Sequence, residues 1–62
     1  MRENATLSHN QAAEYLGVAA QTLYNWRHER RGPNYVKMGR KIVYRQGDLD
    51  RFMESRKIVL EA

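Results

Sequence analysis

Apolar positions along the chain follow two helical rhythms, then an alternating one, then a third helical one. Ala12, Ala13 and Leu16 share one side of a helix over residues 10–16, and Gly17 follows where a left-handed terminator is wanted. Just ahead of it, Leu7, Ser8 and Gln11 form a start signal. Ser8 takes the N-cap, its hydroxyl accepting the backbone N–H three residues on, while Gln11 reaches back to the cap and Leu7 begins a hydrophobic staple. A second periodic stretch, AAQTLYNWRHER, begins only a few residues after Gly17. So short a connection makes the two helices cross steeply, as in a helix-turn-helix, and Ala13 is small where such a crossing needs it. This second helix is predicted over residues 20–30, stopped by Gly32 and Pro33.

From Tyr35 to Arg45 the period drops to two, which predicts a β-hairpin with Gly39 and Arg40 as its turn. The alternation suggests that Val36, Met38, Ile42 and Tyr44 share the face packed on the helices, leaving Lys37, Lys41 and Arg45 outward. A third helix is expected from Gln46, with Asp48 and Asp50 in its first turns, where the helix dipole favours anions. Leu49, Phe52 and Met53 form its apolar stripe. The expected architecture is a small, mainly helical α+β domain, a winged helix-turn-helix in the order helix, helix, hairpin wing, helix. It spans residues 7–56, after an arm over 1–6 and before a tail over 57–62 that carries Ile58, Val59 and Leu60. For that tail, folding back onto the third helix or fraying is favoured over partner binding.

A length of 62 residues leads us to expect one domain and no separate catalytic or sensory unit. There are no cysteines, the two histidines lack metal-ligand spacing, and no apolar run reaches membrane length. No metal, cofactor or small-molecule ligand is therefore expected, and a cytoplasmic location is. Asp48, Asp50 and Glu54 sit beside Arg51 and Arg56 and read as a solvated helix face rather than an acid–base centre, so an enzyme is not expected.

Charge changes the picture more. The net charge is +4, but residues 27–45 alone carry Arg27, Arg30, Arg31, Lys37, Arg40, Lys41 and Arg45 against the single Glu29. The remainder of the chain is slightly acidic. On the second helix, counted at about 100° per residue, Leu23 and Trp26 fall on one side, and Gln21, Tyr24, Asn25 and His28 fall on the other. Gln and Asn bond adenine edges in a major groove, with Tyr and His more permissive, and this face lacks the Lys and Glu that fill a merely solvated one. Ala20, at the helix start, belongs to the same DNA-facing set. Thr22, Arg27, Arg30, Lys37 and Lys41 are the phosphate candidates, and Arg40 at the wing tip is placed to enter a minor groove. Trp26 is expected in the core rather than on a stacking platform.

The segments QAAEYLGVAAQTLYNWR and RGPNYVKMGRKIVYRQGDLDRF resemble the MerR-like winged helix-turn-helix of the excisionase family, over residues 7–53. The resemblance implies base reading by Gln21, Tyr24 and Asn25, backbone contact by Thr22 and Arg27, and wing contact by Arg40 and Lys41. It further implies a non-enzymatic phage or mobile-element recombination directionality factor in a bacterial host. Such a factor binds and bends attachment-site DNA as neighbouring copies and directs integrase towards excision. One departure stands out: Ala19 occupies the N-cap of the second helix, where family members commonly carry Ser or Thr. A stand-alone transcription regulator of the same fold would make the same DNA contacts, and an antitoxin or terminase-type interaction subunit would use the tail instead.

Overall fold

A computed structural model describes residues 5–57 as three helices on a three-stranded sheet. Strand β1 (Thr6–Ser8) leads into helix α1 (His9–Leu16). Helix α2 (Ala20–His28) follows after a three-residue turn, then the hairpin of β2 (Val36–Met38) and β3 (Lys41–Arg45), then α3 (Gln46–Ser55). This is a winged helix-turn-helix. The expected arm residues up to Asn4, and Ile58, Val59 and Leu60 of the expected tail, lie outside the described residues.

The start of α1 is built as its residues require: Ser8 Oγ accepts from Gln11 N at 3.2 Å, and Gln11 Oε1 accepts from Ser8 N at 2.9 Å. Its end reverses through Gly17, at φ 77°, with Gly17 N donating to Glu14 O and Val18 N to Ala13 O. These paired bonds satisfy two carbonyls that the helix end would otherwise leave open. Across the turn, Ala12, Ala13 and Leu23 are buried with Tyr44 and Leu49, and Leu7, Leu16, Val18, Trp26 and Ile42 pack around them. Two alanines at the crossing let the backbones of α1 and α2 approach closely enough for Leu23 to become fully buried.

Several expectations are corrected. Thr6 belongs not to an arm but to β1, which pairs antiparallel with β3 so that Leu7 faces Tyr44, giving the sheet order β1, β3, β2. A strand of three residues is too short for alternation to reveal it. Helix α2 ends at His28, not Arg30, because the chain turns left-handed at Arg30.

The hairpin faces also differ. Val36 pairs with Val43, Lys37 with Ile42 and Met38 with Lys41. Directly paired residues share a face, so Ile42 and Tyr44 look towards the core with Lys37, while Val36 and Met38 lie on the other face with Lys41 and Val43. A turn of two residues forces this, because it pairs even-numbered positions with odd ones. Gly39 adopts φ 64° while Arg40 does not turn positive, the pattern of a type II′ hairpin turn. On α3, Leu49 is fully buried and Phe52 half-buried against Trp26, but Met53 is 46% exposed and leaves the expected stripe.

The acidic residues of α3 are engaged by partners on α3 itself and on α1. Asp48 pairs with Arg51 at 2.8 Å, and Tyr15 donates to Asp50 Oδ1 at 2.5 Å. That hydrogen bond, helped by desolvation and by the carboxylate's charge and opposed by Gln46, raises the Tyr15 phenol above its ordinary pKa.

At the start of α2, Ala19 holds the extended N-cap conformation, φ −68° and ψ 148°, with no side-chain acceptor for the first-turn N–H groups. Ala19→Ser supplies one without moving the backbone and is expected to stabilise the domain by ~1 kcal/mol. In a thermal melt this appears as a rise of about 4–8 °C, and an unchanged midpoint would count against the cap.

Candidate nucleic-acid interface

Helix α2 presents Gln21, Tyr24, Asn25 and His28 to solvent as one stripe, opposite buried Leu23 and half-buried Trp26. The four side chains are paired along the helix. Gln21 Nε2 donates to Asn25 Oδ1 at 3.0 Å, and the Tyr24 and His28 rings lie 4.2 Å apart at 45°. Both pairs are spaced i, i+4, where side chains on a helix surface meet. These contacts bias the orientations of the amides and rings along the helix, each by about a few tenths of a kcal/mol, as for a surface i, i+4 pair. Ala20 is exposed at the head of the stripe, and Thr22 is half-buried at its flank.

Arg27 is positioned differently from the other cations. It is half-buried, and its Nη1 donates to His9 Nδ1 at 2.9 Å and to Tyr44 Oη at 3.2 Å. The guanidinium also lies 5.4 Å from the Tyr24 ring centre and 5.8 Å from that of Tyr35. His9 completes the arrangement by donating from Nε2 to Ala20 O at 2.9 Å, which leaves Nδ1 as the acceptor Arg27 needs. Arg27 thus ties α2 to the first residue of α1 and to β3, with its guanidinium beside the Tyr24 ring of the stripe. Sequence spacing did not reveal His9 or Tyr35 as partners. They sit 18 and 8 residues from Arg27, beyond the reach of any local pattern.

The end of α2 repeats the device that ends α1. Arg30 N donates to Arg27 O at 3.2 Å and Arg31 N to Trp26 O at 2.9 Å, around a left-handed residue. Here that residue is Arg30, at φ 60°, rather than a glycine. Gly32 serves a different need: at φ 127°, a Cβ there would come within 3.1 Å of Trp26 Cβ. The reversal opens a groove of about 700 Å³ lined by Arg27, His28, Arg30, Arg31, Asn34 and Tyr35. Arg31 also pairs with Glu29 at 3.5 Å, where both side chains are exposed and screened by solvent. Asn34 and Arg31 were not among the expected contact residues, although Arg31 stood within the cationic run.

On the wing, Arg40 is exposed at the tip beside Gly39, and Lys37 and Lys41 are exposed on opposite faces. A single flat surface therefore meets one lysine or the other. Lys37 shares its face with Ile42 and Tyr44, and Lys41 with Met38 and Val43.

A helix-turn-helix domain family matches residues 6–57, from the first strand to just past α3. The chain belongs to this family. It includes excisionase-like DNA-binding domains, and membership implies sequence-specific binding to double-stranded DNA by a typically non-enzymatic module. No curated protein matches the chain. Among the described residues no helix is long and apolar enough to cross a membrane, and no group of three or more His, Cys, Asp or Glu is placed to hold a metal ion. In a helix-turn-helix the second helix is the one that enters the major groove, and α2 occupies that place. The solvent-facing stripe lies on this helix, and the cation-lined groove lies at its C-terminal end.

Arg30 is the residue at which stability and charge pull apart. A left-handed conformation costs a non-glycine residue roughly 1–2 kcal/mol, and some of that cost is recovered by glycine, which pays its own entropic price. Arg30→Gly is expected to raise the thermal midpoint by the equivalent of about 1 kcal/mol. A lower midpoint would mean that side-chain contacts of Arg30 outweigh the backbone strain.

Proposed function

We propose that this helix-turn-helix domain reads double-stranded DNA with Gln21, Tyr24, Asn25 and His28 of α2 in the major groove, and serves as an excisionase. The observation that carries the DNA-reading geometry is the prearranged stripe bordered by cations. The amide of Asn25 offers an acceptor and a donor, the complement of the N6–H and N7 edge of adenine. Gln21 holds that amide in place through its own hydrogen bond. Ala20, at the head of the helix, leaves room for the backbone to approach the duplex.

Thr22, Arg27 and Arg30 contact phosphates along one edge of the groove in this reading. Arg27 does so with the part of its fork that His9 and Tyr44 leave available. Arg40 enters the adjacent minor groove, where negative potential attracts arginine. Lys37 and Lys41, on opposite faces of the hairpin, meet phosphates on the two sides of the groove that the wing tip enters. Phosphate contacts set the register, and the stripe sets the sequence.

The excisionase role rests on the resemblance of residues 7–53 to that family. Copies bound side by side at an attachment site would share the elastic cost of bending, of order 1–6 kcal/mol, and present the bent DNA to integrase. Such a role asks nothing of the domain beyond binding, bending and contact with neighbours.

Two substitutions separate the contact classes. Asn25→Ala is expected to lose about 1–3 kcal/mol of preference for the target over random duplex, with the salt dependence unchanged. Arg40→Ala is expected to make the plot of log affinity against log salt shallower by about 0.9, with sequence preference kept. Equal loss on all sequences for Asn25→Ala would remove it from base reading. For the excisionase role, an integrase-dependent excision reaction on attachment-site DNA is expected to require the protein. Full excision in its absence would overturn that role while leaving DNA binding, measured separately, intact.

A further inference from the structure

The face of the domain formed where α1 ends against α2 and α3 carries a mostly apolar groove of about 400 Å³. Val18, Trp26, Phe52 and Met53 line it, and Arg31 and Arg56 stand at its edges. Phe52 and Trp26 lie 5.6 Å apart, and Arg56 stacks over Phe52 at 5.0 Å. The DNA reading makes no use of this face. Met53 is 46% exposed there, and Phe52 beside it is only half-buried.

The chain itself supplies a matching segment. Ile58, Val59 and Leu60 are three consecutive aliphatic residues that begin two positions beyond Arg56, and Glu61 follows them. An extended chain advances about 3.3–3.6 Å per residue, so these side chains lie within roughly 7–14 Å of chain path from the groove edge. The acidic residue comes directly after the apolar run, opposite two arginines. We infer that Ile58, Val59 and Leu60 dock in cis into the groove between α2 and α3, with Glu61 beside Arg31 and Arg56.

Two physical terms favour this occupant. Attachment through one or two residues gives an effective concentration on the order of millimolar or above, which a separate partner must exceed. Burying the aliphatic side chains removes apolar surface from water on both sides of the contact. Docking also places the segment against Trp26, the inner side of the helix whose outer side carries the stripe. Held in this way, α2 has a support on its inner surface in addition to the core.

The absence of cysteine from the whole chain makes a direct test practicable. Ala62→Cys, carrying a nitroxide label, is expected to broaden the nuclear resonances of Trp26, Phe52 and Met53 in the same molecule. Leu60→Ser in the labelled chain is expected to relieve that broadening while the far-ultraviolet circular dichroism stays unchanged. Mixing labelled chain with isotope-enriched unlabelled chain separates the sources. Broadening that passes between molecules would assign the groove to a second copy and overturn docking in cis, and so would the absence of broadening at these residues. DNA binding plays no part in this readout, so its outcome is independent of the proposed function.

Discussion

The two hydrogen bonds from Arg27 to His9 and Tyr44 hold the geometry on which the remainder depends. Helix α2 packs on α1 through Leu23 and the small residues opposite it. Trp26 adds a contact with Phe52 of α3. The guanidinium adds a polar tie by reaching the first residue of α1 and a buried tyrosine of β3 together. Once rotation is set, the direction of the Gln21, Tyr24, Asn25 and His28 stripe is set with it. The bond from His9 to Ala20 O fixes the opposite end of α2. A half-buried charge in such a place costs solvation, and the two rings flanking it return part of that through cation–π attraction.

The candidate interface gathers different kinds of residue, and the fold keeps them apart. Amides and rings line one side of α2 from Gln21 to His28, its last residue. Cations occupy the helix end and the hairpin, where the chain turns and long side chains can spread. Two similar reversals, at Gly17 and at Arg30, close the two helices of the motif. The first uses the residue that backbone conformation prefers. The second accepts strain at the mouth of the basic groove, where it keeps a charged side chain that glycine would not supply. The strained position thus coincides with the cationic run of the chain.

Local chemistry was legible along the chain, and long-range pairing was not. The capping box at Ser8 and Gln11, the stop at Gly17, the turn at Gly39 and the outward stripe of α2 each follow from residues within one turn of one another. The match of a helix-turn-helix family over residues 6–57 accords with the architecture these signals compose. Strand β1 escaped notice because its meaning lies in Tyr44, far along the chain. The end of α2 was overextended because Arg30 has the composition of a helix residue and the conformation of a terminator. Arg27 was expected among the phosphate contacts, and its anchoring went unseen because nothing near it in sequence announces His9 or Tyr44. The face assignment of the hairpin was a different kind of error, since the two-residue turn at Gly39 and Arg40 already dictated which positions pair.

That turn has a consequence for how the wing tolerates change in length. With two residues between Met38 and Lys41, each outward position on one strand is matched to a definite position on the other. A tip longer by one residue keeps the strands in register by changing turn type, to a type I turn closed by a left-handed residue in a G1 bulge. Length at the tip is thus tolerated where turn chemistry follows it, while the pairing of Lys37 with Ile42 and the inward place of Tyr44 stay as they are.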